Sequence, residues 1–140
     1  MVASSPAANS TEGSIRLLIV DDEPALLGLL QRYLERLGYA VEVAQTPQAA
    51  LAKFESDPGR YACILTDLKL PGMSGEEMLK QMRTRRPGLH ALISSGLPYQ
   101  PQSARTGFLQ KPYLPAMLAE ALERLLKGAS KASLPANTPD

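Results

Sequence analysis

The stretch Ile15-Arg16-Leu17-Leu18-Ile19-Val20-Asp21-Asp22-Glu23-Pro24 decides how this chain is read. Six residues with only one charge among them suit a central strand covered on both faces, as in a parallel sheet. The run then breaks at two adjacent aspartates. Pro24 follows at the first turn of a helix, where a missing N–H costs nothing. Beyond it Leu26, Leu27, Leu30, Tyr33, Leu34 and Leu37 recur at helical spacing, and Gly38 is placed to stop the helix. A buried strand, an acidic turn and an amphipathic helix make one βα unit.

The same alternation continues along the chain, which predicts an α/β fold. Val41 and Val43 mark a second strand, and Thr46-Pro47 opens a helix carrying Ala50, Leu51 and Phe54 that Asp57-Pro58-Gly59 closes. Tyr61 to Thr66 reads as a third strand ending at Asp67. Ser74, three residues before Glu77, forms the capping box of a helix that carries Met78, Leu79 and Met82 and stops before Pro87. Leu89 to Ser94 is a fourth strand, Gly107 to Gln110 a short fifth, and Pro115 to Lys127 a last helix. The folded domain is expected over residues 15–127. Residues 1–14 and 128–140, rich in Ala, Ser and Pro, are expected as disordered flanks.

Composition bounds the function. The chain has 140 residues, enough for one domain, and 44% hydrophobic content is enough for one core. A net charge of +1 gives no reason to expect nucleic acid as a partner. Cys63 alone cannot form an internal disulfide, and no apolar run approaches the roughly 20 residues of a membrane span. The expected location is the cytoplasm, with no membrane contact.

The chemistry-bearing residues fall at the carboxyl ends of the strands, the edge where doubly wound sheets bind ligands. Asp21 and Asp22 follow the first strand, Asp67 the third, Ser94 and Ser95 end the fourth, and Lys111 follows the fifth. Three carboxylates at one place repel one another unless a cation compensates, and a small set of oxygen ligands favours Mg²⁺. A carboxylate there can attack a phosphoryl donor, a reaction that needs alignment and charge neutralisation, and Lys111 supplies a point positive charge. Taken singly, an acidic pair at a helix start is a cap, an Asp after a strand is turn chemistry, and Lys before Pro is a loop residue. Their joint order carries the reading.

That order resembles the receiver domain of bacterial response regulators. The matching stretches are Leu18 to Pro24, Leu65-Thr66-Asp67-Leu68-Lys69-Leu70-Pro71-Gly72-Met73-Ser74-Gly75, Ile93-Ser94-Ser95-Gly96 and Gly107-Phe108-Leu109-Gln110-Lys111-Pro112-Tyr113. The last is similar to receivers attached to hybrid sensor histidine kinases. The resemblance implies a flavodoxin-like, CheY-like sheet of five parallel strands in the order 2-1-3-4-5. It implies phosphorylation of Asp67 by a histidine kinase or phosphotransfer protein. It makes Asp21, Asp22, Asp67 and the Lys69 carbonyl the Mg²⁺ ligands, Lys111 the phosphoryl contact, and Ser95 with Phe108 the switch. Such a domain is not an enzyme beyond its own phosphorylation and dephosphorylation.

One segment departs from the family pattern. Only 16 positions separate Ser95 from Lys111, and residues 96–106 hold two prolines and little apolar periodicity, so the fourth helix is expected to be short or absent. With no output-domain pattern after Lys127, the signal is expected to pass to an unidentified protein target or to another part of a longer chain. Two other readings fit the residues: a binding module that keeps the fold without phosphorylation-dependent output, and a metal-dependent phosphohydrolase with Asp67 as nucleophile. The second lacks an acid/base partner near Asp67 and a substrate cap. Tyr99 receives no role, and His90, at the start of the fourth strand, reads as an ordinary histidine.

Overall fold

Near-continuous burial along the three central strands, covered by helices on both faces, builds the architecture. The computed structural model describes residues 14–101 and 103–132. Its elements are β1 (Arg16–Val20), α1 (Pro24–Arg36), β2 (Ala40–Ala44), α2 (Pro47–Ser56), β3 (Cys63–Asp67), α3 (Gly75–Arg85), β4 (His90–Ser95), β5 (Thr106–Gln110) and α4 (Pro115–Ala132). The strands form one parallel sheet in the order β2-β1-β3-β4-β5, with Asp67 of β3 in register with Ser94 of β4. The expected fold class is observed, four helices included.

Successive residues of β1 point to opposite faces, so one strand feeds two cores. Leu17 and Ile19 join Leu27, Leu30 and Leu34 of α1 and Leu118 and Leu122 of α4. Leu18 and Val20 join Ala50 and Phe54 of α2 and Met78, Leu79 and Met82 of α3. Each fully buried aliphatic side chain contributes about 1.5–3 kcal/mol relative to exposure, enough to fix which face each helix covers.

Local signals bound the first three helices where the sequence places them. Gly38 adopts a positive φ of 103° just past the Leu37 cap of α1. The Thr46 hydroxyl accepts the Ala49 N–H at 3.0 Å to start α2. At α3 the capping box is complete: Ser74 Oγ accepts from Glu77 N, and Glu77 Oε1 accepts from Ser74 N, both at 3.0 Å. This cap holds the loop after Asp67 in place.

Among the described residues between β4 and β5 there is no helix; 96–101 and 103–105 cross as bends, irregular chain and a turn. The boundaries differ from expectation at four strands, β1 beginning one residue later, at Arg16. β3 begins at Cys63, two residues later than expected, although the Ala62 N–H already pairs with Arg16 O of the neighbouring strand. β4 is shifted by one residue, to His90–Ser95, and β5 begins one residue earlier, at Thr106. The last helix corrects the expected tail: residues 128–132 continue α4, since no proline interrupts the chain before Pro135. The remaining expected flanks, 1–13 and 133–140, lie outside the described residues. No described helix is long and apolar enough to cross a membrane.

Candidate functional site

Four strand ends deliver the site. β1 ends at Val20, and Asp21 is fixed immediately beyond it: its N–H donates to Ala44 O at 3.2 Å and its Oδ1 accepts the Glu23 N–H at 2.9 Å. Only 4% of Asp21 is exposed. Burial pushes its carboxyl above the usual range, opposed by the Glu23 hydrogen bond and reinforced by the neighbouring charge of Asp67. Asp22, one residue on, is exposed, and Asp67 closes β3 half-buried. One carboxylate oxygen from each of Asp21, Asp22 and Asp67 lies within 4.8 Å of the others.

Lys111 arrives from β5. Its N–H donates to Ser95 O at 2.8 Å, tying the strand end to β4, and its Nζ stands 2.8 Å from Asp67 Oδ1 and 4.0 Å from Asp21 Oδ2. Burial works to lower the ammonium's pKa, but the hydrogen bond and charge of Asp67, with Asp21 and Glu23, outweigh it and raise the pKa. The Lys111–Pro112 peptide is cis. Tyr113, two residues on, has its phenol pushed up to about 12 by burial and by the charges of Asp21 and Asp67.

The two serines at the end of β4 divide the work. Ser94 Oγ donates to Asp67 Oδ1 at 3.4 Å, and Ser94 O accepts the Leu68 N–H at 2.8 Å. Ser95, on the other face of the strand, accepts the Leu97 N–H with its hydroxyl at 3.0 Å. The two side chains point opposite ways, so in this conformation the hydroxyl touching Asp67 belongs to Ser94. The sequence places both at the edge and gives Ser95 the switch role; the resting contact of Ser94 with Asp67, set by their register, is the detail it does not single out.

A glycine sets how close the next helix comes. Gly75 is buried at the start of α3, and its N–H donates to Leu68 O at 2.7 Å. A Cβ on it would lie 2.3 Å from the backbone oxygen of Asp67. Within the Leu-Pro-Gly-Met-Ser-Gly loop, Gly72 takes a φ of 82°. Lys69, two residues past Asp67, is exposed in this loop. Phe108 is half-buried on β5, its ring centroid 6.0 Å from that of Tyr99, whose hydroxyl donates to Glu76 Oε2 at 2.7 Å. The Tyr99 contacts were invisible to pattern reasoning because they depend on the missing helix. His90 is half-buried, and burial followed by the charges of Arg105, Arg83 and Arg86 lowers its pKa.

A partly buried acidic cluster with a lysine at ion-pair distance, at the carboxyl edge of a 2-1-3-4-5 sheet, narrows the family. The model of the response regulator receiver domain matches residues 17–123. This chain belongs to the response regulator receiver domain family. As a receiver domain it is a component of two-component phosphorelay signalling. The receiver is 33% identical to the transcriptional regulatory protein ResD of Bacillus subtilis over 130 residues, which cover 89% of this chain and 53% of ResD. It therefore spans about half the length of that relative. Among solved structures it is similar to a CheY-like receiver domain protein from Methanospirillum hungatei, with 32% identity and a TM-score of 0.76 over 86% of this chain and all of the other. It is also similar to the receiver domain of the hybrid histidine kinase CckA, with 30% identity and a TM-score of 0.71 over 79% of this chain and 98% of that one.

The donor set of this receiver suits a hard divalent cation. Three oxygen donors from Asp21, Asp22 and Asp67 face a single ammonium, which leaves an excess of negative charge at one spot. Few carboxylates with room for water fit the coordination habit of Mg²⁺.

Proposed function

We propose that this receiver accepts a phosphoryl group on Asp67 from a histidine kinase or phosphotransfer protein in the cytoplasm. The single observation that carries the reading is the placement of Asp67, held 2.8 Å from Lys111 within a cluster of three carboxylates. A carboxylate oxygen of Asp67 attacks phosphorus, the donor's bond to phosphorus breaks, and an acyl phosphate forms. Mg²⁺ held by Asp21, Asp22 and Asp67, with the Lys69 carbonyl, supplies the charge neutralisation such a transfer needs.

The chain's own residues do the rest. Asp21, fixed by its bond to the Glu23 N–H, keeps the cation position beside Asp67. Lys111 moves its ion pair from the carboxylate to a phosphoryl oxygen and so retains a partner throughout. Ser95 leaves the Leu97 N–H for the phosphoryl group, which frees the backbone at the start of the 96–105 segment. Phe108 answers that movement from β5. The domain catalyses no reaction other than its own phosphorylation and dephosphorylation, and its output passes to a protein target.

Beryllofluoride with Mg²⁺ tests this by NMR on the full chain. Saturable shifts at Asp67, Ser95 and Lys111 in the wild type, absent in Asp67→Asn, are expected. Equal shifts in both proteins, or none in either, overturn the reading.

A further inference from the structure

Loss of the helix between β4 and β5 leaves one face of the sheet covered differently from the rest. α4 packs on β5 through the side of Gly107 and Leu109. The opposite side of β5 carries Thr106 and Phe108 and is met by the 96–105 loop through Tyr99. Between that loop and α3 lies a groove of about 480 Å³ floored by Leu79, Ile93 and Thr106, with Tyr99 at one end.

The groove is linear. Its α3 wall is made by Glu76, Glu77, Lys80, Arg83 and Thr84, positions that share one face of a helix over two turns. From Glu76 to Thr84 that wall runs about 12 Å at 1.5 Å per residue. A trough of this length beside a helix and over a sheet is the place a helix occupies in a layered α/β fold. Its volume takes several aliphatic side chains from one helix face.

The rim is also charge-ordered. Glu76 and Glu77 stand at the amino end of α3 and Lys80 and Arg83 nearer its carboxyl end. Helices favour acidic residues in their first turn and basic residues in their last. A helix running antiparallel to α3 sets an acidic first turn beside Lys80 and Arg83 and a basic last turn beside Glu76 and Glu77. A parallel helix opposes like charges at both ends. Lys80 is exposed and has no carboxylate partner among the described residues.

We propose that this groove docks one amphipathic helix of a partner protein, antiparallel to α3, in the space that the absent fourth helix leaves. The site needs no phosphoryl group on Asp67, so it stands or falls separately from the function proposed above.

The probe is a synthetic peptide of about 15 residues, near the shortest length at which a helix holds in water. It carries leucines at i, i+3, i+4 and i+7, glutamates in its first turn and lysines in its last; a second peptide exchanges the charges. Titrated into the ¹⁵N-labelled full chain, the first peptide is expected to shift the amides of Lys80, Ile93, Tyr99 and Phe108. It should bind about threefold to fivefold tighter than the charge-exchanged peptide, the scale of a few rim ion pairs. Lys80→Glu, a surface change that leaves the core intact, should abolish or reverse that preference. Equal affinities, shifts confined to other faces, or an unchanged preference in Lys80→Glu overturn the proposal. Concentration-dependent shifts of the same amides without peptide also overturn it, since they would assign the groove to a second copy of the chain.

Discussion

Replacing Gly75 with alanine tests whether a close backbone approach sets the position of Asp67. The added Cβ would sit 2.3 Å from the Asp67 carbonyl oxygen and 3.0 Å from Thr66 Oγ1, whereas real Cβ contacts essentially never fall under 3.0 Å. Either backbone must move by about 0.7 Å, and neither is the end of a flexible side chain. Overpacking of this kind costs about 1–3 kcal/mol. Two effects oppose it: alanine's helix propensity and the reduced freedom of the unfolded chain together favour the variant by up to about 1 kcal/mol. The clash wins because it is backbone against backbone and also displaces the 2.7 Å bond from Gly75 N–H to Leu68 O. Net destabilisation of about 1–2 kcal/mol should lower Tm by roughly 4–8 °C for a domain of this size. Labelling of Asp67 by acetyl phosphate should slow by about tenfold or more, because sub-ångström misplacement of a reacting group is costly. Thermal unfolding followed by circular dichroism, with labelling followed by intact mass, reads both. A variant as stable as wild type and labelled as fast would refute the claim that this glycine fixes the site.

Other perturbations separate the roles of neighbouring residues. Lys111→Met removes the ammonium 2.8 Å from Asp67 Oδ1 and should slow labelling about 10²-fold with an unchanged circular dichroism spectrum. Ser94→Ala should shift the resting NMR signals of Asp67, while Ser95→Ala should leave them alone and weaken the beryllofluoride response at residues 96–99; the opposite pattern contradicts the hydroxyl assignments. Glu42 lies away from the site, bonded by Tyr61 and by Arg16 and Arg60, and these partners outweigh its burial and hold its carboxyl below the ordinary 4.5. A carboxyl lowered in this way stabilises the fold above pH 4.5, and the contribution is lost as pH falls through the folded value. Glu42→Gln should therefore cost about 1 kcal/mol in urea titrations at pH 7 and progressively less as the pH is taken well below 4.5.

Much of this is legible in the sequence. Strands and helices announced themselves through period and punctuation: the apolar run into Asp21, the Gly38 stop and the Ser74–Glu77 box each appear as read. The two prolines after Gly96 sufficed to remove the fourth helix, since an internal proline forfeits a backbone bond and clashes with the preceding turn. Convergence of Asp21, Asp22, Asp67 and Lys111 followed from topology, because parallel strands share one carboxyl edge. Side-chain detail did not follow. Which of Ser94 and Ser95 meets Asp67 depends on strand register, and a one-residue choice reverses the face. Tyr99 gains its partners Glu76 and Phe108 only once the 96–105 loop is folded onto α3 and β5. The C-terminal boundary was misread because a Gly-Ala-Ser composition suits a linker as well as a helix's last turns.

The central claim is that Asp67, among all the carboxyl groups of the chain, takes the phosphoryl group. Incubating the full chain with acetyl phosphate and Mg²⁺, then reducing it with borohydride, converts any acyl phosphate to the corresponding alcohol at its own residue, which peptide mass mapping locates. The account predicts one modified residue, Asp67, with the modification lost when Mg²⁺ is chelated before phosphorylation. Modification of Asp21 or Asp22 in its place, or an equal yield from Asp67→Asn, would contradict it.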